Sequence, residues 1–206
     1  MTTREDAVII NSLVRQALTS AQEVMGDNGL NAVLRASGLE RFIGNFPPNN
    51  LEPSIQASQY ARLNQAIEDF YGRAGKGMLR RIGKASFQYG VKEQAALLGV
   101  AGVALKLLPE RQRIKFILNG MVDALKKSNP QVNARVDESG DRLAYIESTC
   151  AICHSRQSET PICYLYVGSI SEAVLWATGK EHAVVETHCL AKGDAYCRFE
   201  VGESRS

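Results

Sequence analysis

Apolar side chains recur at helical steps through the first 130 or so residues and alternate with polar ones after that. Between residues 5 and 25, Ile9, Leu13, Ala17, Ala21 and Val24 share one face and Arg15, Gln16 and Glu23 the other, which predicts an amphipathic helix. Gly26-Asp27-Asn28-Gly29 stops it. A short second helix follows, with Leu30, Val33 and Leu34 on one side and Gly38 as its C-cap. From Leu39 to Ser58 the chain reads as a loop, because Pro47-Pro48-Asn49-Asn50 and Pro53 remove backbone donors. This is the expected boundary between an N-terminal helical segment, residues 1–58, and a second unit, residues 59–206.

Tyr60 to Gly90 places Leu63, Ile67, Phe70, Ala74, Met78 and Ala85 at helical steps, with Gly72, Gly75, Gly77 and Gly83 weakening the helix. Glycines so spaced mark close approach of another helix or of a ligand. Arg73, Lys76, Arg80, Arg81 and Lys84 lie in this stretch with no acid among them, and Arg73, Lys76, Arg80 and Lys84 form one basic stripe. A stripe of this kind is an ordinary solvated face or a seat for carboxylates. Val91 to Leu108 is apolar over most of its circumference and predicts a helix buried on every side. Pro109 ends it, and Glu110 opens another whose buried stripe is Ile114, Ile117, Met121 and Leu125, with Lys126-Lys127 at its C-terminal end.

After Pro130, Val132, Ala134 and Val136 alternate with Asn133, Arg135 and Asp137. Glu138-Ser139-Gly140-Asp141 then turns the chain into a return strand, Leu143 to Glu147. Helices followed by strand-strand-helix-strand-strand predict an α+β fold, N-terminal helices packed on a small antiparallel sheet.

Composition narrows the partners only slightly. The 206 residues are 45% apolar and 22% charged with a net charge of +2, so nothing draws the chain as a whole to nucleic acid. The N-terminus, MTTREDAVII, lacks the basic region and apolar run of an export signal. The longest uncharged stretch, Gln94 to Leu105, is 12 residues, short of the roughly 20 that span a bilayer. A cytoplasmic protein with no membrane span is expected, and in a reducing compartment clustered cysteines point to metal rather than disulfides.

All five cysteines and all three histidines lie between Cys150 and Cys197. Thr160-Pro161 predicts a helix start, placing Cys163 in the first turn, where the helix dipole favours a thiolate. That helix ends at Gly179. If Lys192-Gly193-Asp194 is a three-residue loop, Cys189 and Cys197 stand opposite each other on an antiparallel pair, with Cys197, Phe199 and Val201 on one face and Arg198 and Glu200 on the other. Glu186, three residues before Cys189, reaches the same side only through a bulge. Cys150-x-x-Cys153 is a second chelating pair, followed directly by His154. Spacing alone does not choose between Cys150/Cys153/Cys189/Cys197 and a set that uses Cys163 and Glu186. His154, His182 and His188 read as satisfied or exposed histidines, since no carboxylate or nucleophile is spaced to form a triad with them.

The pattern P-x-C at Pro161 to Cys163, E-x-x-C at Glu186 to Cys189, and C-L-A-K-G-D-A-Y-C-R-F-E-V from Cys189 to Val201 resembles the 4-vinyl reductase domain family. That family includes the sensor domains of phenol- and xylene-responsive bacterial activators and proteins grouped with chlorophyll-pathway vinyl reductases, and it is related in fold to subunits of the TRAPP trafficking complex. In its aromatic-sensing members three cysteines and a glutamate hold zinc. The resemblance therefore implies a structural zinc on Cys163, Glu186, Cys189 and Cys197, with the bulge that Glu186 requires and no open position for water. Arg198 or Lys192 is expected to offset its formal charge of about −2. Cys150, Cys153 and His154 fall outside that pattern, as an outer element of the site, a redox pair or the actual ligands.

The resemblance implies a binding or sensing module, its apolar pocket holding an aromatic, a hydrocarbon or a tetrapyrrole-like molecule. Candidate lining residues are Phe87, Tyr89, Leu98, Phe116, Tyr166 and Trp176. With no output domain before Ser206, a sensor of this form signals through a partner protein or carries its ligand. The alternatives are an enzyme or accessory protein for vinyl reduction in (bacterio)chlorophyll biosynthesis and a homodimeric scaffold holding an acyl chain. The first lacks a glycine-rich dinucleotide fingerprint in the sequence, although the basic stripe would suit tetrapyrrole carboxylates. No residue is assigned a catalytic role. A zinc-ribbon role on nucleic acid is disfavoured because the cysteine loops carry few basic residues.

Overall fold

The structure, a computed structural model, describes residues 6–93, 105, 107–129 and 131–204. It is α+β, as the order of periodicities predicts. Strand β1 (Val8–Ile10) leads into helix α1 (Asn11–Ala36). The helix thus starts later than residue 5, because three consecutive β-branched residues pair antiparallel with β2 (Pro53–Gln56). Pro53 opens that strand, where its missing N–H is tolerated. Leu39 to Ser58 is therefore not all loop. Within α1 the backbone breaks at Gly26 (φ 71°), dividing it into the two helices expected. Gly38 (φ 72°) closes the second, with Leu39 N–H donating to the Leu34 carbonyl at 2.8 Å.

The weak helix expected from Tyr60 to Gly90 is two helices, α2 (Ala57–Tyr71) and α3 (Gly75–Glu93). The 3₁₀ turn Gly72–Ala74 separates them, entered through Gly72 at φ 52°. Most of the apolar stretch Val91 to Leu108 lies outside the described residues; within it Leu105 is buried. Helix α4 (Glu110–Ser128) starts after Pro109 and carries Lys126 and Lys127 in its last turn. Its fully buried positions are Ile114, Ile117, Leu118 and Val122, whereas Met121 and Leu125 are half-buried at the edge of the stripe.

Strands β3 (Ala134–Asp137), β4 (Ala144–Glu147), β5 (His182–His188) and β6 (Cys197–Ser204) form an antiparallel sheet in the order β3-β4-β6-β5. Helix α5 (Tyr164–Thr178) precedes β5 and ends at Gly179 (φ 73°). Along β6, Cys197, Phe199 and Val201 are buried while Arg198 and Glu200 are not, the alternation expected of a strand with one face on the core.

Helices α3 and α5 cross backbone to backbone. A Cβ on Gly83 would overlap the Leu165 carbonyl, and one on Gly168 the Arg80 carbonyl. The two glycines admit each other's helix reciprocally, the close approach that the glycine spacing of α3 signals. This crossing fixes the start of α5, and with it Cys163, against the helical layer. Side chains from Val14 to Val201, on both sides of residue 58, share one hydrophobic core that includes all five cysteines.

Candidate metal centre

Six ligand-type side chains converge where α5, β5 and β6 meet the loop after β4. Cys150 and Cys153 lie in that loop, Cys163 caps α5, Glu186 is on β5, Cys189 follows β5 and Cys197 opens β6. All five cysteines are free and buried. The Sγ–Sγ separations are 3.6 Å for Cys150–Cys163, 3.5 Å for Cys153–Cys197, 3.8 Å for Cys163–Cys197 and 3.9 Å for Cys163–Cys189. A tetrahedral ion with metal–sulfur bonds of about 2.3 Å spaces its sulfurs about 3.8 Å apart. The cluster therefore already has the edge lengths of a thiolate metal site. Two quartets have ligand atoms all within 4.8 Å of one another: Cys150, Cys153, Cys163 and Cys197, and Cys163, Glu186, Cys189 and Cys197. The cysteine cluster is able to hold a metal.

Local structure at these residues departs from expectation in three places. Helix α5 begins at Tyr164, not at Thr160-Pro161, and Cys163 is its N-cap. The Cys163 N–H donates to Glu186 Oε2 at 2.7 Å, so β5 rather than a threonine hydroxyl satisfies the helix end. Burial pushes the Cys163 thiol up, outweighing the helix-dipole effect expected there. The β5–β6 connection is longer than Lys192-Gly193-Asp194. It includes a 3₁₀ turn, Leu190–Lys192, and Gly193 at φ 92°, and Asp194 Oδ2 accepts the Cys189 N–H at 2.7 Å. The register nonetheless shifts between Glu186 and His188, the bulge that Glu186 requires to face the cysteines.

Charge at the site is managed by backbone donors. Arg198 pairs instead with Asp137 and Glu200, and Lys192 with Asp194, so neither expected cation serves the sulfurs. The Leu190 N–H donates to Cys197 Sγ at 3.4 Å. Glu186 is buried and its carboxyl is raised to about 8, first by desolvation and then by the Cys189 thiolate. Its Oε1 is buried with no partner, while Oε2 holds the Cys163 N–H. An orphaned carboxylate oxygen beside buried thiols fits a bound cation.

A second buried carboxyl, with no cysteine-like spacing to mark it in the sequence, lies alongside. Glu147 pairs in register with Cys197, and burial raises it to about 7 against hydrogen bonds from Tyr166 and Tyr145. Tyr145, Tyr166 and Phe199 pack with ring centroids 5.5 to 6.1 Å apart. Tyr166 thus belongs to the sheet-side aromatic cluster. All four residues of β4 are buried, and the unbroken apolar run Leu143-Ala144-Tyr145-Ile146 is the sequence signal of a strand covered on both faces, with Glu147 at its end.

The other candidate lining residues separate. Phe87 and Trp176 meet edge-on at 6.5 Å and pack with Met121 around a small apolar cluster of Ile117, Ala173 and Ala177. Tyr89 is half-buried further along α3, Phe116 is 45% exposed on α4, and Leu98 lies outside the described residues. His154 Nε2 stands 3.5 Å from Asp6, His182 Nδ1 bonds the Gly202 carbonyl at 2.9 Å, and His188 contacts Thr187. The basic side chains Arg73, Lys76, Arg80 and Arg81 are exposed and form no ion pair among the described residues. Lys76 and Arg80 lie over the Tyr164 ring at 5.3 and 5.5 Å.

Residues 145–203 match the V4R domain family. The V4R stretch runs from β4 into β6 and contains all six ligand-type residues, in agreement with the resemblance carried by its cysteine spacing. An uncharacterized protein of Methanocaldococcus jannaschii, MJ0745, is 33% identical over 75 residues, 36% of this chain and 41% of that relative's length. Solved H-NOX structures share the fold of nearly the whole chain. One is an oxygen-binding H-NOX domain related to soluble guanylate cyclases, in its oxygen complex, with 13% identity, a TM-score of 0.61, and coverage of 94% of this chain and 93% of that one. Another is an H-NOX protein from S. oneidensis in the Fe(II)NO state, with 10% identity, a TM-score of 0.59, and coverage of 93% and 99%. The Fe(II) unliganded H-NOX protein from K. algicida has 11% identity, a TM-score of 0.60, and coverage of 96% and 97%. At such identities the likeness concerns the fold.

Proposed function

We propose that the chain is a small-molecule binding or sensing module in which a structural zinc ion on Cys163, Glu186, Cys189 and Cys197 fixes the sheet against α5. Residues 59–206 form the ligand-binding unit. The observation that carries this reading is the apolar cluster of Phe87, Ile117, Met121, Ala173, Trp176 and Ala177 between α3, α4 and α5, which meets the main core through Met121. Ligand sites between helices are apolar with few polar groups, and this cluster has that composition.

Of the H-NOX structures named above, one binds oxygen and two hold Fe(II), one of them with NO, and a further structure of similar fold concerns haem distortion in the H-NOX family. A haem needs an axial ligand. His154 lies against Asp6, His182 against the Gly202 carbonyl and His188 against Thr187, and all five cysteines are in the thiol centre, which leaves Met121 as the haem-ligand type in the cluster. The cluster's apolar composition supports an apolar organic ligand, whether aromatic, hydrocarbon or tetrapyrrole-like.

With four protein donors the zinc has no position for an activated water and its role is architectural. Five free thiols suit a reducing, cytoplasmic setting. No described helix is long and apolar enough to cross a membrane. Homodimerisation and a separate output partner belong to the same reading: β5 is an edge strand, and Val185 on it is 55% exposed. Native mass spectrometry of the protein as purified tests the function. A bound aromatic, hydrocarbon or pigment supports it. A ligand-free protein that binds none of these, and whose Trp176 fluorescence none of them perturbs, contradicts it.

A further inference from the structure

We propose that the thiol cluster is a two-metal centre in which Cys163 and Cys197 are bridging ligands. This rests on the zinc reading of the same cluster and extends it to Cys150 and Cys153. The two quartets of ligand atoms share two members, Cys163 and Cys197, whose sulfurs are 3.8 Å apart. Two four-coordinate ions placed on either side of that shared edge use all six donors. The first takes Cys150 and Cys153, the second Glu186 and Cys189, and both take Cys163 and Cys197.

A single ion leaves buried groups stranded in either quartet. Held by Cys163, Glu186, Cys189 and Cys197, it leaves the Cys150 and Cys153 thiols 3.6 and 3.5 Å from sulfurs that are already ligands. Held by the four cysteines of the other quartet, it leaves the buried Glu186 Oε1 without a partner and Cys189 Sγ 3.9 Å from Cys163 Sγ. Each stranded polar group carries a desolvation cost that ligation removes.

Charge does not oppose the second ion. One divalent ion with three thiolates and a carboxylate has a formal charge of about −2. The second ion adds two positive charges and displaces two protons, from Cys150 and Cys153, to solvent. The total stays at about −2 for five thiolates, one carboxylate and two divalent ions.

Bond lengths fix the separation of the two ions. With bonds of about 2.3 Å, ions on opposite sides of a 3.8 Å sulfur edge lie about 2.6 Å apart; drawing the bridging sulfurs to about 3.4 Å separates the ions to about 3.1 Å. An iron–sulfur cluster would interpose iron and sulfide between the cysteines, whereas these Sγ atoms are in contact. Soft, tetrahedral zinc suits the donor set, and two-zinc centres with six cysteines are used by other proteins.

The full chain reconstituted with ¹¹³Cd²⁺ tests this. Native mass spectrometry is expected to show two equivalents per chain, and ¹¹³Cd spectra two resonances, one for four sulfurs and one for three sulfurs and an oxygen, split by coupling through the bridging thiolates. One equivalent with a single resonance overturns the second ion and leaves the zinc reading intact. Two uncoupled resonances overturn the bridge. No bound metal overturns both. The double variant Cys150→Ser/Cys153→Ser is expected to keep one equivalent with unchanged circular dichroism, and retention of two equivalents contradicts the assignment. If that variant does not fold, the wild-type spectrum decides.

Discussion

Replacing Gly168 by alanine tests the helix crossing that positions Cys163. A Cβ there would stand 2.7 Å from the Arg80 carbonyl carbon and 2.8 Å from its Cα, and would overlap the carbonyl oxygen. The obstacle is backbone, so no rotamer relieves it. The helices must separate, opening the most closely packed junction between the helical layer and α5. Overpacking costs about 1–3 kcal/mol, and a backbone obstacle belongs at the upper end. Alanine recovers about 1 kcal/mol of helix propensity. The net loss is roughly 2 kcal/mol, or about 4–8 °C in Tm for a chain of this size. Gly77→Ala, on α3 with nothing within 4 Å of the added Cβ, is the matched control. It should be neutral or stabilise by up to about 1 kcal/mol. Urea unfolding followed by circular dichroism and by the fluorescence of Trp176, the only tryptophan, reads both variants. A wild-type midpoint for Gly168→Ala, or equal losses in the two variants, would refute the crossing.

Three further outcomes are expected. Glu147 is raised from 4.5 to about 7 by burial, so between those pH values the unfolded chain binds fewer protons than the folded one. The protonated carboxyl's advantage is complete below about pH 4.5 and lost as pH rises through 7, a change of about 3 kcal/mol. Glu147→Gln removes that slope, so the variant's stability relative to wild type should rise between pH 5 and 7.5, and a constant difference would contradict the burial effect. Arg156 donates to Gln65 at 2.6 Å and to Glu68 at 2.9 Å, tying the loop after Cys153 to α2. Because Glu68 is 17% exposed, Arg156→Ala should cost about 2–3 kcal/mol, below the value for a fully buried pair, and a loss under about 0.5 kcal/mol in urea unfolding would argue against the tie. A strong chelator should remove hydrogen-exchange protection from β5, β6 and the start of α5 while α1 and α2 keep theirs. Uniform retention would show that metal does not hold the sheet.

Much of this architecture was legible in the sequence because it depends on local rules. The period change after Pro130 located the sheet, and Gly26, Gly38 and Gly179 marked helix ends where φ is positive. The cysteine spacing identified the family stretch, and the strand period demanded a bulge at Glu186 that the register contains. What escaped depends on contacts distant in sequence. Val8 to Ile10 has helical spacing with the residues after it, yet pairs with Pro53 to Gln56. Thr160-Pro161 carries a helix-start signal, but the Glu186 carboxylate, 23 residues beyond Cys163, captures the N–H that sets the actual start. Arg198 and Lys192 are close to the cysteines in sequence and paired elsewhere in space. Spacing offered Cys150 and Cys153 as ligands without fixing their partners, and the folded loop after β4 groups them with Cys163 and Cys197.

Metal content per chain tests the central claim most directly. Protein purified without added metal, quantified by elemental analysis against amino-acid concentration, should carry stoichiometric zinc, with two ions per chain in the bridged arrangement. Removing the zinc should destabilise the sheet. Metal-free protein that is folded, takes up no zinc and is indifferent to chelator would contradict the account.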